Sequence, residues 1–159
     1  MSTRGDIAEV RLRPTICEAV EKAAASLDDS GVRALRVLLH SGVSVYWPMI
    51  KAAPTKQIRA YERTVRKLCE RWEASADAVA EPVNDDPYRH ADDVVVYFLE
   101  LCAERSGTKW LEPVDAIGAY VVSVLQGVVL RWLADDDDEA MLVVLDDLVT
   151  SVSARAVAA

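Results

Sequence analysis

Little in this sequence can carry out chemistry. Among 159 residues there are two histidines, three cysteines and one phenylalanine, and 18 Lys and Arg are outnumbered by 26 Asp and Glu. Each shortage excludes something. Neither His40 nor His90 has a second histidine at helical spacing. His90 and Asp93 lie three residues apart and would share a helix face, but two ligands do not make a zinc site. No metal is therefore expected. Cys17, Cys69 and Cys102 are an odd, widely spaced set. They fit small buried hydrophobes in a reducing compartment better than a disulfide framework. The net charge of -8 disfavours duplex DNA and anionic membranes as partners, since both require a basic face. No nucleophile elbow, phosphate loop or dinucleotide fingerprint is present. The expectation is a chain that is not an enzyme and takes no cofactor. The start, Met-Ser-Thr-Arg-Gly-Asp, has no signal-peptide core, so a cytoplasmic location is expected.

Glycine and proline are also scarce, at six each, which leaves room for long helices between breaks. What is abundant is apolar: 52% of residues are hydrophobic, enough for one domain with one core. Residues 1–14 read as an arm, loose or the start of a helix, and 15–159 as a single all-helical domain. Thr15 with Glu18 three residues on resembles a capping box for a first helix that Ser30-Gly31 closes. A second helix spans about 32–53, with Leu35, Leu38, Leu39, Gly42, Val45, Tyr46 and Met49 in one stripe and a kink expected at Pro48. Thr55 caps a third, to about Ala80. Its apolar stripe is Ile58, Tyr61, Val65, Leu68, Cys69 and Trp72, opposite Lys56, Arg59, Arg63, Arg66, Lys67 and Arg71. Glu62, Glu70 and Glu73 interleave with those cations, the pattern of a solvated face rather than a nucleic-acid surface. Asp86 and Pro87 open a fourth helix that Gly107 ends.

The fifth helix, from Pro113 to about Leu133, is apolar around most of its circumference, although Asp115, Ser123, Gln126 and Arg131 deny it a clean membrane span. So small a domain can hardly surround such a helix, and a second subunit is the simplest extra wall. Asp135 to Asp138 then break the chain and sit at the positive end of a sixth helix, about 139–154. The run lacks the glycine and spaced glutamate of a calcium loop. No strand pattern competes with the helical period. Gln126, an amide on a buried helix, must find a partner across a subunit boundary or in a ligand.

The last third also resembles a known family. The segment from Val121 through Gln126, Gly127 and Val128 to Trp132-Leu133, an acidic break, and then Leu142 to Val149 are similar to the final two helices of TetR-family transcriptional regulators. Tyr46-Trp47 through Tyr61-Glu62-Arg63 look like that family's middle regulatory helices. The resemblance implies an all-α fold of about six helices, with the last two pairing with a second copy as a four-helix bundle and the middle helices enclosing an apolar ligand pocket. It implies a homodimer that senses a small apolar or amphipathic effector. The ligand wall would be Tyr46, Trp47, Tyr61, Val65, Trp72, Phe98 and Cys102. The dimer face would be Gly118, Val121, Leu125, Val128 and Trp132 with Leu145, Leu148 and Val152. The family's helix-turn-helix head has no counterpart in residues 1–14, so DNA binding by this chain is not implied. The alternative is a head-less protein that heterodimerises with a full-length regulator and needs no ligand.

Overall fold

The structure, a computed structural model, describes residues 6–75 and 86–159, with side chains described for 12–74 and 86–159. It is all-α, with six helices among the described residues: α1 Asp6–Ala25, α2 Val32–Lys51, α3 Pro54–Ser75, α4 Arg89–Ser106, α5 Val114–Asp135 and α6 Asp138–Ser153. Helix α2 is the hub, packing on α1, α4 and α6, while α5 packs on α4 and α6. Helix α3 is the least packed, with α2 as its main neighbour.

Two apolar clusters hold these helices together. The first joins Val20 of α1, Leu35, Leu38 and Leu39 of α2, Leu99 and Cys102 of α4, Ile117 and Val121 of α5, and Leu148 and Val152 of α6. Burying each of its large aliphatic side chains stabilises the fold by about 1.5–3 kcal/mol. Gly42 lets α4 approach α2 closely, because a Cβ there would strike the Phe98 ring. The second cluster lies at the other end of α2, where Trp47 and Ile50 meet Val128, Val129 and Trp132 of α5 and Met141 and Leu145 of α6. Its centre is an edge-to-face pair, Trp47 on Trp132, with ring centroids 5.0 Å apart and planes at 89°, a favoured aromatic geometry.

The helix ends follow the local sequence in most places. Gly107 ends α4 in the left-handed conformation at φ 66°, which costs glycine nothing. Asp137 caps α6 by accepting from the Ala140 N–H at 3.0 Å. At α4 the expectation needs correction. Asp86 accepts from the Tyr88 N–H at 2.9 Å, stabilising the turn before the helix, and the cap position falls on Tyr88 without a side-chain bond. Helix α1 is already formed at Asp6, ahead of the Thr15 capping box, so residues 6–14 belong to a helix. Arg13 on it stacks over the Tyr97 ring of α4 at 4.1 Å. The expected end of α3 near Ala80 lies outside the described residues.

Two short strands, β1 Thr108–Trp110 and β2 Ala156–Ala158, pair antiparallel. The sequence predicts no strand, because three residues are too few to show a period of two. The pair fastens the C-terminus to the α4–α5 link, helped by Leu111 N–H to Arg155 O at 2.9 Å and by Arg155 over the Tyr120 ring at 4.4 Å. Among the described residues, Trp110 Nε1 is the buried side-chain polar atom that lacks a partner.

Helix α5 is long and apolar enough to cross a membrane by length and composition. Its inward side instead supplies Ile117, Val121, Val128, Val129 and Trp132 to the two clusters, an arrangement compatible with a soluble protein.

Candidate functional site

The second cluster continues outward into an open apolar groove. Helix α3 contributes Ile58, Tyr61, Glu62, Val65 and Arg66, and the last two turns of α5 contribute Leu130, Leu133 and Ala134. Its volume is about 620 Å³, within the size range of small-molecule sites. Ile58, Tyr61 and Val65 recur at three- and four-residue steps, so one face of α3 points at α5. Leu133 packs against the second cluster, as does Tyr46 of α2. Burial pushes the Tyr46 hydroxyl well above the ordinary phenol range, so it remains a neutral hydrogen-bonding group near neutral pH.

A polar clamp braces this end of the molecule. Asp138, at the start of α6, accepts from Trp132 Nε1 at 2.9 Å and from Lys51 Nζ at the end of α2. Both donors hold its carboxyl below the usual carboxylate range. The clamp therefore fixes the ends of α2 and α5 against the first turn of α6, where an anion is also favoured by the helix dipole. Towards the opposite end of the α2–α6 contact, Arg36 donates to Thr150 Oγ1 at 2.8 Å and His40 lies 3.3 Å from Asp146.

The seven residues expected to form one ligand wall are divided among four places. Tyr61 and Val65 line the groove. Trp47 and Tyr46 belong to the adjacent second cluster. Phe98 and Cys102 belong to the first cluster, where burial raises the Cys102 thiol pKa. Trp72 is 71% exposed; it lies near the far end of the least packed helix. Glu62, Arg66, Leu130, Leu133 and Ala134 also line the groove and are not site candidates from sequence. The apolar periods of α3 and α5 contained some of them, but the register of one helix against the other is a long-range fact that no local pattern encodes.

The residues expected at a dimer face are mostly enclosed by the chain itself. Gly118, Val121, Val128, Trp132, Leu145, Leu148 and Val152 are all buried within the chain, and Leu125 is half-buried against both clusters. Their contacts are with the protein's own helices. What α5 does leave open is a stripe of small residues, Ala116, Ala119, Ser123 and Gly127, all exposed; beyond Gly127 the same side of the helix continues through Leu130 and Ala134 into the groove. The only hydroxyl in the stripe, on Ser123, is satisfied inside the helix by the Ala119 carbonyl at 2.7 Å. Helix α6 exposes Leu142 and Val143. Gln126 is half-buried rather than enclosed, so it imposes no requirement for a partner.

A second cleft, bounded by Asp86, Arg89, Asp92, Asp93, Val96 and Asp115, is acidic. Burial, then Asp86 and Asp93, raise the Asp92 pKa. His90 is exposed. Among the described residues no group of three or more His, Cys, Asp or Glu is placed to hold a metal.

Comparison with known proteins yields no relative: no family model, no curated protein and no solved structure matches the chain.

Proposed function

We propose that this chain is a small-molecule-sensing and homodimerising domain, of the kind found in the regulatory half of TetR-like transcriptional regulators, and that it binds an apolar or amphipathic effector rather than catalysing a reaction. The observation that carries the reading is the open side of α5. A helix of 22 residues that is apolar on nearly every side faces solvent along a stripe of small residues, and α6 also exposes Leu142 and Val143. Contiguous exposed apolar surface of this kind marks an interaction site. Small side chains let two helices approach closely, and the last two helices are the ones the family resemblance assigns to a two-fold bundle. The effector site on this reading is the groove between α3 and α5, because it is apolar, has a suitable volume, and shares α5 with the dimer face. One helix then contacts both ligand and partner, which is the coupling a sensor needs.

Ser123 sits at the middle of the stripe, so two copies related by a two-fold axis bring their Ser123 residues close together. In a Cys69→Ser background, mild oxidation of Ser123→Cys should give a covalent dimer on a non-reducing gel. A product that stays monomeric contradicts the homodimer. Cross-linking in native extract to a longer regulator instead of a second copy would favour a heterodimeric interaction protein.

A further inference from the structure

The geometry points to a free amphipathic carboxylate as the occupant of the groove, with its carboxylate on Arg66 and its apolar body along Ile58, Tyr61, Val65, Leu130 and Leu133. This inference rests on the groove being the effector site. Charge selects the class. The whole chain carries -8, yet α3 holds six Lys and Arg against three Glu, so the groove opens beside the locally basic element of an acidic protein. Among the described residues no carboxylate lies within ion-pair distance of Arg66, whose side chain is exposed and lines the groove. A guanidinium presents a planar fork that matches a carboxylate with two parallel hydrogen bonds.

The apolar wall sets the tail. From Ile58 to Val65 the α3 face runs about 10 Å at the helical rise, enough for a medium-chain alkyl group. Glu62, one turn before Arg66, also lines the groove and repels an anion. The head is therefore confined to the Arg66 end, and the remainder of the ligand must be uncharged.

The probes are decanoate, decanol and decyltrimethylammonium below their micellar concentrations, titrated calorimetrically into the full chain. Decanoate should bind most tightly. Arg66→Gln should weaken decanoate about five- to tenfold and leave decanol unchanged, as expected for loss of a charge-assisted contact in an open site. Glu62→Gln should tighten decanoate. Val65→Asp, at a position already 45% exposed and so tolerant of change, should abolish binding of decanoate and decanol with the circular dichroism spectrum unaltered. If decanol or the ammonium binds as well as decanoate, or if Arg66→Gln has no effect, the carboxylate assignment is overturned while the groove survives as the effector site. If none of the three binds, the effector site itself is lost. Co-sedimentation with phosphatidylglycerol vesicles, in the absence of binding to monomeric decanoate, would overturn the free ligand in favour of a membrane surface.

Discussion

Helices α3 and α5 are both 22 residues long, and they reverse what their sequences suggest about burial. Helix α3 has a clean apolar stripe with charges opposite, the pattern of a helix laid on a core, yet Ile58, Val65 and Trp72 on that stripe are all exposed. Helix α5 has little amphipathic contrast, and it supplies both cores. An apolar face states that a surface needs cover; it does not state what provides it. For α5 the protein covers one side and leaves a small-residue stripe open. For α3 it covers little, and what remains is a groove.

The contrast predicts very unequal mutational costs. Leu38→Ala, at a fully buried position on α2, should destabilise by about 2–5 kcal/mol in chemical denaturation. Trp72→Ala removes a larger side chain from α3 and should change stability by no more than about 0.5 kcal/mol. Comparable losses at the two sites would mean that the far end of α3 is packed as tightly as the core.

A smaller effect sharpens the comparison at the clamp end, where α5 turns into α6. Asp138 has a lowered folded pKa because Lys51 and Trp132 donate to it. A carboxylate of that kind contributes stability above its unfolded pKa and loses it as pH falls through the folded value. Wild type should therefore exceed Asp138→Asn in denaturation midpoint at neutral pH, and the two should converge below about pH 4. A gap of constant size across the range would remove the ionised carboxylate from the account. The smallest effect concerns the same turn. Asp136 holds a left-handed backbone at φ 54°, strained for a residue with a Cβ. Asp136→Gly should raise stability by up to about 1 kcal/mol, and thermal melting checks the sign.

Much of the fold was legible in local sequence. Gly107, the apolar periods of α2, α4 and α6, and the long apolar run of α5 each carry their own signal, and the helices follow it. The pairing of β1 with β2 was not legible, since its partners are some fifty residues apart and each strand is three residues long. The site was less legible than the fold. Tyr61 and Val65 were recognisable as candidates because they are apolar at helical spacing, but Phe98 and Cys102 satisfy the same criterion and fill a core. Pockets and cores use the same side chains, and the choice between them is made by the register between helices. The residues expected at a dimer face show the same limit in another form. The large residues of α5 and α6 attract attention as an interface, but they are the ones the chain buries for itself. The residues left outside, Ala119, Ser123 and Gly127, carry little apolar surface individually and matter as a contiguous stripe.

Gly127 provides the most direct test of that stripe. A Cβ added there meets nothing within 4 Å, so the protomer accommodates a side chain, whereas a close seam with a second copy does not. Light scattering on wild type and Gly127→Arg should give twice the 17.5 kDa chain mass for the first and a single chain for the second, with equal helical content. A monomeric wild type, or a variant that remains dimeric, would contradict the proposal that the open side of α5 is where two copies meet.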